Sequence, residues 1–240
     1  MNGADATGST RRDGGPPIPP AENPFRVRFI APGALPYQFV DPQVTLATLA
    51  EKAIAGTKLR STPWLIVGEH GSGKSTLLAG LVDCLSATWG EPNLVRFSSA
   101  DSRRQKKDQL RETLLPLCGG GSPEPGLAPP GFLVIDGLEQ LDRLSRLQLR
   151  LRITRADVPC LATSHRVPRG WNVLHRTALG ATLIRRLCGR LLDGYPPPVQ
   201  DRIEQVLSSR DLDKVTDLRA FWFELYDVVA DMSAPPDPSP

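Results

Sequence analysis

The chain contains no apolar run that approaches the length of a membrane span, so it is not expected to insert into a bilayer. Residues 1–22 hold no apolar stretch of the signal-peptide kind. Cysteine is scarce. Cys84, Cys118, Cys160 and Cys188 stand apart with no metal-ligand spacing, and are read as small buried hydrophobes in a reducing compartment. These absences lead us to expect a cytoplasmic protein. Charge imbalance is also small. A net charge of +3 with a pI of about 8.8 is too weak by itself to argue for nucleic-acid binding. No repeat of solenoid period is visible. What remains is 240 residues, 40% hydrophobic and 23% charged, enough for one good-sized core with appendages.

One stretch organises the rest. Gly68, Glu69, His70, Gly71, Ser72, Gly73, Lys74, Ser75 and Thr76 fit the pattern G-x-x-x-x-G-K-[ST]. Trp64 to Val67 precede it as a short apolar strand, bounded by Pro63. Leu77, Leu78, Leu81, Val82 and Leu85 follow at helical spacing. In the strand–loop–helix context the glycines let successive backbone N–H groups point at an anion. The helix N-terminus adds partial positive charge. Lys74 would reach the β- and γ-phosphates of a nucleotide, and the Ser75 hydroxyl would ligate Mg²⁺, a cation that prefers oxygen. A chance match in a glycine-rich loop is the alternative, and the two flanks argue against it.

Around this unit the chain divides as follows. Residues 1–22 and 234–240 are rich in Gly, Pro and polar residues and are expected to be disordered. Residues 23–59 read as an extended segment followed by a helix with Leu46, Leu49, Ala50, Ala53 and Ile54 on one side, packed on the core. Residues 60–192 form the core, and residues 193–233 a helical segment. Further strands are expected at 93–98, 132–136, 158–163 and 173–177. Arg103, Arg104, Lys106 and Lys107 precede Leu110, Leu114 and Leu115 on a helix. Such a run is usually a solvated face, with nucleic-acid or phosphate contact as the alternative. Residues 116–131 read as a long Pro/Gly-rich loop. A helix over 140–155 is expected to place Leu141, Leu144, Leu147 and Leu151 on one side and Arg143, Arg146 and Arg150 on another. Leu183, Ile184, Leu187, Cys188, Leu191 and Leu192 mark a strongly amphipathic helix, broken at Tyr195 and the prolines after it. Two more helices follow, with Asp217 a candidate cap for the second.

Four further positions bear on the site. Asp136 ends an apolar strand and is the natural Mg²⁺-holding aspartate; capping the next helix is its other role. Glu139 would orient or deprotonate water, or else complement a helix dipole. Thr163, Ser164 and His165 end another strand, where a polar group could sense the γ-phosphate, or simply make a turn. His70 reads as a surface-facing spacer. Arg166, Arg169 and Arg176 are candidates for an arginine finger.

The residues GEHGSGKST at 68–76, FLVIDGLEQL at 132–141 and the strand ending in TSH at 163–165 resemble the P-loop NTPases. Within them the chain looks like the additional-strand division that holds the AAA+ and STAND-like ATPases, and like an uncharacterised bacterial group of that division. The resemblance covers about residues 60–192. It implies an α/β three-layer fold with a mainly parallel sheet flanked by helices, plus C-terminal helices. It also implies ATP and Mg²⁺ as ligands, and ATP hydrolysis coupled to an unknown protein partner or to self-association. No LSGGQ-like signature is present, which argues against an ABC transporter subunit. No N-K-x-D motif is present, so ATP is expected over GTP. A small-molecule or nucleotide kinase and a non-hydrolysing ATP-binding scaffold remain as alternatives.

Overall fold

The computed structural model describes residues 22–59, 63–118 and 131–233. The sequence expectations for 1–21, 119–130 and 234–240 lie outside the described residues. A short helix α1 (Val27–Ile30) is followed by α2 (Leu46–Leu59), β1 (Trp64–Val67), α3 (Lys74–Trp89), β2 (Pro92–Arg96), α4 (Arg103–Cys118) and β3 (Phe132–Asp136). Then come α5 (Arg143–Arg155), β4 (Cys160–Ser164), β5 (Asn172–Arg176), α6 (Ala181–Leu191), α7 (Pro197–Ser209) and α8 (Leu218–Ser233). The five strands form one sheet in the order β2-β3-β4-β1-β5. Every pairing is parallel. The fold is therefore α/β, consistent with a P-loop NTPase-like architecture. β4 lies between β1 and β3, so an additional strand separates the strand of the glycine loop from the strand that ends in Asp136.

Alternation along the strands produces the layers. Leu65, Val67, Leu133, Ile135, Cys160 and Ala162 face one side, where α4 and α5 pack. Trp64, Ile66, Phe132, Val134, Leu161 and Leu174 face the other, against α2 and α3. With both faces covered, the strands need continuous apolar runs, and β1 and β3 are buried throughout. The third cluster joins α6, α7 and α8 around Leu187, Leu191, Ile203, Phe221 and Leu225. Phe25, fully buried, stacks on Trp222 with ring centroids 5.6 Å apart. Asn23 donates to the Tyr226 carbonyl at 2.8 Å. Further along, Tyr37 and Phe39 sit edge-on to each other, and both rings lie against His175 of β5. The N-terminal segment is thus a strap from the helical cluster to the sheet edge.

Several expectations need correction. Of the four leucines expected on one side of this helix, Leu144, Leu147 and Leu151 are exposed, and Leu141, though buried, precedes α5; its buried side is formed by Leu149 and Ile153 instead. Because α5 starts at Arg143, with Asp142 accepting from the Ser145 amide as its cap, Ser145, Leu149 and Ile153 form the inward i, i+4, i+8 row. Helix α4 runs through Pro116, which sits in its last turn, so residues 116–118 are helical rather than part of the expected loop. Lys106 is buried within the basic run, and Leu115 is exposed. Cys84 is exposed rather than buried, whereas Cys160 and Cys188 are buried and free. No helix of the described residues is long and apolar enough to cross a membrane.

Candidate functional site

The glycine loop joins β1 to α3 at the C-terminal ends of the strands, the rim where parallel α/β sheets hold ligands. Gly71 and Gly73 both have positive φ, +66° and +88°. A side chain at Gly71 would also run into Asp217, and would lie 2.7 Å from the Leu218 amide. The loop therefore touches the N-terminus of α8. Asp217 accepts from the Arg219 and Ala220 amides at 2.9 and 3.3 Å, which makes it the cap anticipated from the sequence. The floor is tied by hydroxyls. Ser72 Oγ donates to the Glu69 carbonyl at 2.7 Å and meets Thr177 Oγ1 at 2.6 Å. The Thr177 amide donates to the Val67 carbonyl at 2.8 Å.

Lys74 is buried, and its Nζ folds back onto the loop, donating to the Gly68 carbonyl at 2.9 Å and the Glu69 carbonyl at 2.7 Å. Burial lowers its pKa, and the nearby carboxylates of Glu139 and Asp136 oppose that shift. Next to it, the Ser75 hydroxyl donates to Asp136 Oδ1 at 3.0 Å. Thr163 Oγ1 donates to the same oxygen at 2.7 Å and accepts from the Gly137 amide at 2.9 Å. Arg96 Nε reaches Asp136 Oδ2 at 3.2 Å. Asp136 is thus the meeting point of three elements rather than a helix cap. Ser75 and Asp136 offer oxygen donors at one point, which suits a hard divalent cation. Among the described residues no group of three or more His, Cys, Asp or Glu side chains forms a metal cage, so such a cation would draw its remaining ligands from phosphate and water.

Glu139 lies in a single 3-10 turn, Leu138–Gln140, ahead of α5. Its Oε1 is 3.1 Å from His165 Nε2, and its Oε2 is buried without a hydrogen-bond partner. His165 in turn lies against His70, with ring centroids 3.8 Å apart and the planes tilted by 37°. His70 is therefore no free spacer: it reaches across the loop to the end of β4. Ser164 is fully buried, its carbonyl accepting from the Gly68 amide at 3.3 Å. Thr163, Ser164 and His165 thus have separate jobs: one holds Asp136, one fixes the loop to the sheet, and one faces Glu139. Arg166, Arg169 and Arg176 are exposed, and none makes a hydrogen bond through its side chain to these groups.

Sequence reasoning missed Tyr37, Arg96, Thr177 and Arg219. Tyr37 places its ring 3.2 Å from where a Gly73 side chain would begin. Burial pushes its phenol up to about 12, so it stays neutral. Arg219 follows Asp217 in the first turn of α8 and lines the same cavity as residues 71–76. Only Thr177 had a readable signal, as the strand-end residue after β5. The others are brought in by tertiary packing alone.

Burial, and then the nearby charge of Lys74, lower the pKa of His165. Burial, and then Lys52, do the same to His175. A histidine held neutral in the fold binds fewer protons than in the unfolded chain. Stability is therefore full above the unfolded value of 6.5 and falls as pH drops through and below it. We expect Tm to fall between neutral pH and pH ~5, and the fall to be smaller in His165→Gln/His175→Gln. Parallel Tm–pH curves for the two proteins would contradict this.

No family model matches the chain, and no curated protein matches it. Among solved structures it is similar to the structure of C. elegans PCH-2, at 16% identity over 79% of this chain and 68% of that one, with a TM-score of 0.38. A likeness this distant supports no conclusion about activity.

Proposed function

We propose that the chain is a Mg²⁺-dependent ATP-binding protein that hydrolyses ATP. The observation that carries this reading is the Ser75–Asp136 contact at 3.0 Å, which joins the glycine loop to the end of β3 across the intervening strand β4. Residues 68–76 would hold the phosphates through backbone N–H groups, with Lys74 turning from its own loop carbonyls to the β- and γ-phosphates. Magnesium, held by the Ser75 hydroxyl and through water by Asp136, would offset the phosphate charge. Thr163 and Arg96 keep the Asp136 carboxylate oriented.

Glu139 favours hydrolysis over simple binding. Its carboxylate is presented beside Lys74 with one buried oxygen unsatisfied, a suitable acceptor for a water proton. The strap and helices would enclose the rest of the nucleotide, since Ile30, Leu35, Tyr37, Leu183 and Trp222 line the cavity together with the loop. The apolar character of that wall suits a base rather than more phosphate. In this reading the helices that close the pocket begin at α6, ahead of the boundary read at residue 192, because α6 shares its core with α7 and α8. Conformational output would pass through the Gly71–Asp217 contact into α8.

Phosphate release from Mg·ATP by the purified chain is the test, measured alone and with small-molecule acceptors. Release without any acceptor supports the ATPase. Label transferred to an acceptor would make the chain a kinase, and tight binding without turnover would make it a scaffold.

A further inference from the structure

The first glycine of the loop is required by a residue far from it in sequence. Gly68 lacks the positive φ of Gly71 and Gly73, so backbone conformation does not demand glycine there. A side chain at Gly68 would instead begin 2.0 Å from Thr177 Oγ1, 2.6 Å from Ser72 Oγ and 2.7 Å from the Thr177 carbonyl oxygen. Side-chain carbons do not approach other atoms so closely. The space is already filled by Thr177, the residue just past the end of β5, and by Ser72; both are buried.

A break in the register of β5 delivers Thr177 to this place. Leu65 of β1 pairs with Val173, but Ile66 pairs with His175, so the ladder skips Leu174. One extra residue on one strand is a bulge, rare in parallel pairs, and it re-aims the side chains that follow. Beyond it Val67 pairs with Arg176, and the Thr177 amide donates to the Val67 carbonyl at 2.8 Å. In unbroken register Arg176 would stand where Thr177 stands, and its long cationic side chain does not fit beside Ser72. The hydroxyls then form a chain with one direction. Ser72 Oγ donates to the Glu69 carbonyl at 2.7 Å, so its proton is committed. Thr177 Oγ1 is 2.6 Å from Ser72 Oγ and 3.4 Å from the Val67 carbonyl, and the shorter contact takes its proton. The order is Thr177 to Ser72 to the Glu69 carbonyl, with each bond polarising the next.

That carbonyl is one of the two that hold Lys74, at 2.7 Å. When Lys74 turns to a phosphate, the Glu69 carbonyl keeps Ser72 as its donor, and Ser72 keeps Thr177. Resting on the ATP-binding reading above, we propose that Thr177 is a positioning residue for the phosphate loop: through Ser72 it holds residues 68–72 in place while Lys74 moves. Thr177 itself touches no nucleotide. The backbone N–H groups it positions meet phosphates that ATP, ADP and pyrophosphate all supply, so its loss is felt by all three alike.

Calorimetric titration of the full chain with Mg·ATP, Mg·ADP and Mg·pyrophosphate tests this, at a temperature below the Tm of every variant. Thr177→Val keeps the shape of the side chain and removes its donor. Ser72→Ala breaks the same contact from the loop side, outside any strand. Each should lower all three affinities by a common factor of about fivefold or more. Thr177→Ser returns the hydroxyl and should restore them. Ser72→Ala/Thr177→Val should lose no more than the larger single loss, because both changes break one contact. Wild-type affinities in Thr177→Val, with or without a lower Tm, would overturn the proposal and leave the ATP reading intact. So would losses that multiply in the double variant, or a Thr177→Ser that binds no better than Thr177→Val. A wild type that binds none of the three ligands would overturn both.

Discussion

Lys74→Ala should lower the affinity for Mg·ATP tenfold or more, which corresponds to about 1.4 kcal/mol. The lysine is buried beside the loop, within reach of two of its carbonyls, and the carboxylates of Glu139 and Asp136 help to keep its charge. Its ammonium is thus held against the loop, from which it would turn to the terminal phosphates. Truncation removes that charge and leaves β1 and α3 in place. It also strips the Gly68 and Glu69 carbonyls of a donor, so a modest loss of Tm is expected alongside. Calorimetric titration of both proteins with Mg·ATP is the measurement. Superimposable curves would reject the assignment of the loop to ATP, whatever happens to Tm.

Glu139→Gln should leave ATP binding near the wild-type value and lower turnover by roughly 10²-fold or more, the usual scale for loss of a general base. The amide keeps the shape and can still face His165, but it cannot take a proton from water. Asp136→Asn should give a different pattern. It removes the charge on which Ser75, Thr163 and Arg96 converge, so the Mg²⁺ concentration needed for half-maximal activity should rise. Steady-state phosphate release across a Mg²⁺ series separates the two. Unchanged turnover in Glu139→Gln would leave the His165 contact as a purely structural one.

These residues differ in how far the chain could announce them. The loop at 68–76 was legible as a strand–loop–helix turn because its tight path uses glycine at positive φ, at Gly71 and Gly73, between β1 and α3. The strand end at Asp136 was legible because four continuous apolar residues suit a strand buried on both faces, and a carboxylate marks where that run stops. The sheet was legible in its strands, and its order β2-β3-β4-β1-β5 was not, since pairing depends on contacts distant in sequence. The α5 error has a specific cause. A helix with leucines at 144, 147, 149 and 151 offers more than one apolar arc, and periodicity alone does not say which arc meets the sheet. His70 is exposed, as read, but its contact with His165 was not legible because that partner lies 95 positions later (165 − 70). Arg219 and Tyr37 belong to segments remote from every motif.

The strap has a thermodynamic consequence. Phe25 is buried among the C-terminal helices, and Tyr37 and Phe39 pack with the cluster that holds α2 and α3 against the sheet. Full burial of a phenylalanine side chain is worth roughly 2–3 kcal/mol, so melting of the helices forfeits an anchor that also fixes the sheet's own edge. Asp217 and Gly71 close the same circuit from the other side. Heat or denaturant should accordingly meet one cooperative unit, with the helices and the sheet lost together in a single transition.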